Sequence, residues 1–481
     1  MADPTFYFYD LETSGFDAKN ARIMQFAGQR TTMELEPVGE PHNVLIRITP
    51  DVLPEPDAIL ITGITPQQTL MEGLTEAEFL KLFSDEIARP NTTFVGFNTV
   101  RFDDEFMRNL LYRNFYDPYE WQWQDDCSRW DILDLVRMTR ALRPDDINWP
   151  FAADGKPTNR LEFLAAVNKL EHDHAHDALS DVYATIDVAK LVRQKQPDLF
   201  KFNYEHRRKD AVKSVVTRPQ PFVYTTGRYS SQWLHTSAAV MLMPHPVQDA
   251  ALVYDLRFDP ADFANKTAEE LVEHWRYSKD PDHVRLPIKT LKYNRCPAVA
   301  PLGVLDEAAQ TRLDLPMSTI EKNYANLKKC QQEFAPKIAQ AVRLMDAERV
   351  TQNTLLVDAQ TVDGMIYDGF YDKRAKTDLA LVRASEATEL SKLQLDSDPR
   401  LPALLPLYKA RNFPAAMTAE ERAAWDDFCQ QRLQSGGASS RLSKFASRLQ
   451  ALAADSKLTD AQKYLLEELQ LYAESIVVVS E

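Results

Sequence analysis

No stretch of this 481-residue chain approaches the roughly 18 consecutive apolar residues that a membrane span requires. The N-terminal segment MADPTFYFYD has no basic leader, so neither secretion nor membrane anchoring is expected and a cytoplasmic home is the default. Cysteine is scarce. Cys127, Cys296, Cys330 and Cys429 stand too far apart for a finger-type metal site or a dense disulfide framework, and all four are expected to be reduced, packed thiols. There is no repeat of fixed period and no low-complexity tract. Positive charge is also in deficit. A net charge of -15 argues at first against a nucleic-acid partner, because phosphate binding normally comes with an excess of Lys and Arg. The deficit is uneven, however. Lys201 to Arg218 carries six basic and two acidic residues, and so does Arg276 to Arg295, so each segment reads either as a solvated face or as a track for an anionic polymer.

What is present fits a globular protein. The length exceeds the usual size of one hydrophobic core, so two or three domains are expected, and 44% hydrophobic with 26% charged residues is ordinary for such a chain. The first 195 or so residues alternate short β-rich apolar runs, such as Thr93 to Phe97, with helical patterns such as Asp104 to Leu111. This alternation predicts an α/β domain around a mixed sheet. The domain is expected to close after a helix over Ala178 to Val192, where Gln194-Lys195-Gln196-Pro197 supplies a break. A second region opens with Pro219 and Pro221, contains β-like pieces such as Ala250 to Leu256, and turns helical near Ser318 to Met345. The remainder has i, i+3, i+4 apolar spacing, as in Ala461 to Val479, and reads as a helical bundle.

Candidate chemistry begins at Phe6-Tyr7-Phe8-Tyr9-Asp10-Leu11-Glu12. On a strand, Phe6, Phe8, Asp10 and Glu12 share one face while Tyr7, Tyr9 and Leu11 share the other, so two acids sit together where the strand ends. Two adjacent carboxylates in an apolar setting must take up a proton or bind a cation, and oxygen ligands suit a hard divalent ion. Taken alone the pair reads more readily as a strand leaving for solvent. A third acid, Asp103, stands where an apolar strand gives way to a helix start, although a cap or first-turn role accounts for one of Asp103 and Asp104. A fourth, Asp181, falls on or beside the small-residue stripe of Ala178, Val182 and Thr185 that should face the sheet. His176, five residues earlier, is the natural titrating group of the set.

With Asp10, Glu12, Asp103 and Asp181 preceded by His176, the chain resembles the DEDD 3′-5′ exonuclease superfamily in its histidine-bearing (DEDDh) form. Ile61-Thr62-Gly63-Ile64-Thr65 is similar to the superfamily's GIT segment, and Asn98 precedes Phe102-Asp103. The stretches NTVRFDDEFMRN, YRNFYDPYEWQWQDDCSRWD, INWP, HDALSDVYATI and YKARNFP resemble bacterial exonuclease I over essentially the whole chain. Phe202, where a tyrosine is expected, and Leu11-Glu12-Thr13-Ser14, closer to the general superfamily, depart from that pattern.

The resemblance implies an α/β N-terminal exonuclease domain with an RNase H-like mixed sheet over 1–195. It implies a smaller SH3-like middle domain over 196–349 and a C-terminal α-helical domain over 350–481, together clamping single-stranded DNA, an enclosure that suits a monomer. It implies hydrolysis from the 3′ end with release of nucleoside 5′-monophosphates, in DNA repair and recombination. Two Mg²⁺ ions, for which Mn²⁺ can substitute, would lie about 3.5–4 Å apart on Asp10, Glu12 and Asp181, with Asp103 assisting partly through water. His176 would take the proton from the attacking water. Seven of the nineteen residues from Tyr112 to Trp130 are aromatic, enough to supply both core and a surface on which unpaired bases stack. The resemblance selects Tyr119 and Trp123 as DNA contacts, Arg108 and Arg137 as phosphate or nucleotide contacts, and Arg160 at the terminal nucleotide. It also implies a partner, the single-stranded-DNA-binding protein, whose acidic tail ends in an apolar residue and would be held at Arg143.

Two alternatives remain open on these residues. A proofreading or RNA-trimming DEDDh exonuclease shares the acid set, but the 280 or so residues beyond the first domain weigh against it. A DNA-binding adaptor that has lost catalysis would not need all four acids and His176.

Overall fold

The computed structural model describes residues 3–170, 177–280, 283–352 and 359–477. By its internal contacts the chain forms two compact units. One comprises Met1–Ser128, Asp173–Tyr183 and Leu355–Glu481, the other Arg129–His172 and Ala184–Thr354. The C-terminal helices therefore group with the first strands and not with the residues that directly precede them.

In the first unit, β1 (Thr5–Thr13) lies between β2 (Ile23–Thr31), antiparallel to it, and β4 (Thr92–Gly96), parallel to it, while β3 (His42–Leu45) pairs antiparallel with β2 on the outside. The alternation expected of β1 holds. Tyr7, Tyr9 and Leu11 join Phe26, Phe79, Phe83, Phe94 and Trp121 in one buried cluster, whereas Phe6 and Phe8 meet edge to face on the other side. Gly63, at φ +71°, ends the helix Pro56–Thr62, and the Thr65 hydroxyl caps the helix Pro66–Glu72 by accepting from the Gln68 amide. The Ile61 to Thr65 segment is thus a stop signal followed by a start signal.

The C-terminal helices are tied to this sheet layer by apolar contact and by charge. Phe445, Leu449, Leu466 and Leu469, on the helices Arg441–Ala453 and Asp460–Ile476, pack with Met24, Ile59 and Ile64. Arg411 donates to Asp363 at 2.9 and 2.6 Å and to Asp51 at 2.8 Å, while Arg22 reaches Asp51 at 3.2 Å and Arg432 reaches Asp363 at 3.2 Å. All five side chains are buried. Arg113 and Asn114 both donate to the buried Glu76 at 2.7 Å, and Asn412 donates to Asn114 at 2.9 Å.

The second unit is built on an antiparallel sheet of the order β10-β6-β7-β8-β9, formed by β6 (Phe222–Thr225), β7 (Thr236–Pro244), β8 (Ala250–Asp255), β9 (Ile288–Lys292) and β10 (Ala298–Pro301). The short strand β5 (Ser128–Asp131) begins as the first unit ends. Val240, Leu252, Tyr254 and Leu286 share a core with Phe334 and Ile338 of the 36-residue helix Met317–Gln352. The helix begun at Ala178 runs to Lys195, and Pro197 opens the next one, Pro197–Glu205, as its first residue. Of the cysteines, Cys127, Cys296 and Cys429 are buried and Cys330 is half-buried, with burial pushing each thiol up. No helix among the described residues is long and apolar enough to cross a membrane.

Candidate active site

The end of β1 is open on one side because its parallel neighbour stops short. β4 pairs with β1 only as far as Phe8 against Val95, so Asp10 and Glu12 lie beyond the last pairing with it. On the other side the ladder continues, with Asp10 opposite Ala27 and Glu12 opposite Gln25, and then slips by one residue between Glu12 and Thr13. Such an irregularity at a strand end re-aims side chains. Ligand crevices of open α/β sheets form at the carboxyl ends of the strands, and both acids sit at such an end.

The chain leaving β4 bends back at once. A Cβ at Gly96 would stand 2.9 Å from the Tyr9 carbonyl oxygen, so only glycine permits this approach, and Asn98 takes the left-handed conformation at φ +72°. The helix Asp103–Arg113 follows. Its two leading acids divide the work. Asp104, 1% exposed, accepts a 2.6 Å hydrogen bond from the Tyr9 hydroxyl, and Asp103 is the strongest negative neighbour of Asp10.

The fourth acid arrives on the helix Ala178–Lys195. Ala178, Val182 and Thr185 are buried, as their spacing predicts, and Asp181 stands half-buried beside them. Asp177 caps this helix: one carboxylate oxygen accepts from the Ser180 amide at 3.2 Å, and its carbonyl accepts from the Asp181 amide at 3.0 Å. Carboxylate oxygens of Asp10, Glu12 and Asp181 come within 4.8 Å of one another. His176 lies outside the described residues.

The electrostatics of this cluster are one-sided. Burial, then Asp103 and Asp181, push the Asp10 carboxyl well above the usual range. Burial, then Asp10, Asp181 and Asp177, push Glu12 up to about 9. The charges acting most strongly on both are negative, so among the described residues this point is short of positive charge. Among the described residues the donor set is carboxylate oxygen, which suits a hard divalent cation and not a soft one. A divalent ion among the three oxygens would offset the mutual repulsion that adds to burial in both shifts. On this test the residues fit the metal.

Of the proposed DNA contacts in the same unit, Arg108 and Tyr119 are neighbours, with the guanidinium 5.7 Å from the ring centre; Arg108 is held by Glu105 at 2.8 Å and Gln122 at 3.1 Å. Trp123 is 60% exposed, whereas Tyr112, Phe115, Trp121 and Trp130 are buried. Reading the sequence did not single out Phe370, 84% exposed, whose ring meets Tyr119 at 5.4 Å, or Tyr367, whose hydroxyl donates to Glu105. The aromatic-rich stretch Tyr367-Asp368-Gly369-Phe370-Tyr371 was the available signal.

In the second unit, Arg137 is paired with Asp134 at 2.6 Å, and Arg160, exposed at the start of the helix Leu161–Asn168, with Glu162 at 2.6 Å. Arg143 is partly exposed but engaged: it donates to Asp306 at 2.9 Å and to the Val304 carbonyl at 3.1 Å. Phe202 stacks on His206 at 3.9 Å. Within the basic segments Lys209 and Lys213 pair with Asp249, whereas Lys289 is pulled down to about 8 by burial and by Arg285 and Arg228.

Three family models match the chain: Exonuclease over residues 7–189, Exonuclease I SH3-like domain over 207–343, and Exonuclease I C-terminal domain over 360–476. Exodeoxyribonuclease I of Escherichia coli is 36% identical over 479 residues, 98% of each chain. The solved structure of a moderately thermophilic exonuclease I from Methylocaldum szegediense superposes with a TM-score of 0.91 at 39% identity, covering 99% of this chain and 100% of that one. E. coli exonuclease I in complex with a dA16 oligonucleotide gives 0.91 at 35%, with the same coverage. Other similar structures are a zinc-bound E. coli exonuclease I complex with single-stranded DNA, at 0.91 and 34%, and SSB/exonuclease I with an inhibitor, at 0.88 and 34%, both with the same coverage. An α/β exonuclease domain, an SH3-like domain and a C-terminal helical domain in this order, matched from end to end, place the chain in the bacterial exonuclease I family of the DEDD superfamily.

Proposed function

We propose that this protein is a 3′ to 5′ exonuclease that degrades single-stranded DNA to nucleoside 5′-monophosphates, acting in DNA repair and recombination. The observation that carries the reading is the meeting of Asp10, Glu12 and Asp181 oxygens within 4.8 Å at the open end of β1. Asp10, Glu12 and Asp181 would hold two Mg²⁺ ions, with Asp103 assisting partly through water. Bound there, the ions supply charge stabilisation at the phosphate and a more acidic water. His176 removes the proton of the attacking water, a role that suits histidine because an imidazole can accept a proton near neutral pH. Asp103 and Asp104, in the first turn of one helix, keep separate duties: the first adds charge to the site and the second locks the helix to Tyr9.

Tyr119 and Trp123 stack on unpaired bases, and Phe370 and Tyr367 extend that surface. A duplex offers no such base faces, which gives a physical basis for strand selection. Arg108 and Arg137 hold phosphates or nucleotides, Arg160 holds the terminal nucleotide, and basic residues of the second region hold further phosphates of the strand. The domains serving these roles are 1–195, 196–349 and 350–481. Arg143 receives the acidic tail of the single-stranded-DNA-binding protein once its bond to Asp306 yields. The protein works as a monomer in the cytoplasm, where its substrate is.

The test is product analysis on one 5′-labelled single-stranded oligomer. A ladder shortening from the 3′ end in Mg²⁺, mononucleotide 5′-phosphate products, arrest by chelator and no comparable action on RNA are expected. Endonucleolytic fragments, or equal action on RNA, would overturn the reading.

A further inference from the structure

The geometry points to Gln25 and Asp177 as a positioning pair that fixes the first turn of the Asp181 helix relative to the strand pair bearing Glu12. Gln25 is buried on β2 directly opposite Glu12 in the β1/β2 ladder. A side-chain amide has two N–H bonds to give. Gln25 spends one on the Asn43 side-chain oxygen at 2.8 Å and aims the other at the Asp177 carboxylate at 3.4 Å. The second oxygen of that carboxylate accepts from the Ser180 amide, and the Asp177 carbonyl accepts from the Asp181 amide. One amide therefore links the ladder that sets Glu12 to the turn that sets Asp181.

The link matters because of where Asp181 stands. It is the fourth residue of its helix, inside the first turn, where amides have no partner from within the helix and fraying begins. Asp177 satisfies two donors of that turn, but a cap alone leaves the turn free to shift as a body. The bond from Gln25 removes that freedom, since Gln25 is itself held on its other side by Asn43. Neither residue is required to touch substrate or metal.

The proposal rests on Asp181 being a metal ligand, as read above, and its test is chosen to keep the two apart. Mn²⁺ affinity is measured on the DNA-free protein by electron paramagnetic resonance, together with hydrogen exchange at the Ser180 and Asp181 amides. Gln25→Glu sets a carboxylate against a carboxylate. Asp177→Asn keeps one oxygen for Ser180 but turns an NH₂ toward the NH₂ of Gln25. Each single variant is expected to bind Mn²⁺ about tenfold more weakly or worse, in line with lost support behind a metal ligand, and to exchange faster at both amides. In the double variant donor faces acceptor again and the total charge is that of the wild type, so most of the affinity and protection should return.

A purely electrostatic role for these residues predicts the opposite for Gln25→Glu, because added negative charge attracts a cation. Unchanged or tighter Mn²⁺ binding by that variant overturns the proposal, as does a double variant no better than the singles. If a single variant fails to fold, the double variant decides alone: near-wild-type affinity supports the pair and its loss overturns it. Asp181→Asn is the control. If it binds Mn²⁺ like the wild type, the ligand reading fails; if it loses Mn²⁺ while Gln25→Glu does not, only the positioning pair fails.

Discussion

Consider Glu12→Gln in the presence of a chelator. Glu12 is 8% exposed, and burial with the charges of Asp10, Asp181 and Asp177 raises it from 4.5 in the unfolded chain to about 9 in the fold. Between those values the folded state binds more protons than the unfolded one, so stability falls as pH rises. The penalty is absent below about pH 4.5, grows by about 1.4 kcal/mol per pH unit and levels off above about 9. At pH 7 it amounts to about 3 kcal/mol. Glutamine keeps the shape without the charge and escapes this cost. The metal-free variant should therefore melt about 3 °C above the metal-free wild type at neutral pH, converge with it near pH 4.5, and be inactive. Adding Mg²⁺ should raise the wild-type melting temperature and largely spare the variant's, because only a species that binds the ion gains from it. Differential scanning calorimetry at several pH values in chelator reads this directly. A metal-free wild type more stable than the variant at pH 7 to 8, or a gap independent of pH, would refute the reasoning.

Other expectations follow from the same structure. Asp363→Ala leaves Arg22, Arg411 and Arg432 buried with Asp51 as their shared partner and should cost about 3–5 kcal/mol in urea unfolding. Because the arginines hold Asp51 and Asp363 well below the usual carboxylate range, that contribution is full above about pH 4 and fades only as the solution becomes strongly acidic. Trp123→Ala and Phe370→Ala should each weaken binding of single-stranded DNA by about 1–3 kcal/mol in fluorescence anisotropy, with little change for duplex DNA. Asp306→Asn, which releases Arg143 from a half-exposed ion pair, should tighten binding of an acidic C-terminal peptide by about 0.5 kcal/mol, whereas Arg143→Ala should weaken it.

The sequence made some of this legible and withheld the rest for identifiable reasons. The two-residue period of Phe6 to Glu12 is local, so the faces of β1 could be assigned, and the helical stripe of Ala178, Val182 and Thr185 placed Asp181 beside a buried surface. Bringing Asp181 to Asp10 depends on chain folding across 170 intervening positions, which no periodicity encodes; here resemblance to a known acid set supplied the grouping. Gln25 was invisible because its role comes from strand register, opposite Glu12, and not from any neighbour in sequence. Arg22, Arg113, Arg411 and Arg432 look like surface charges in composition, yet all are buried because acids from distant segments meet them. The motif YKARNFP finds its physical reason there: Lys409 pairs with Glu421, Arg411 with Asp363 and Asp51, and Asn412 with Asn114. The short strands of the second unit, four to nine residues long, gave too little pattern to reveal the antiparallel order β10-β6-β7-β8-β9.

The acidic cluster's dependence on a divalent cation is tested most directly by diffraction from crystals soaked in Mn²⁺, with data collected at the manganese edge. An anomalous peak in contact with the carboxylates of Asp10, Glu12 and Asp181 is the predicted result. A map with no peak there, in crystals that also contain a bound nucleotide, would contradict it.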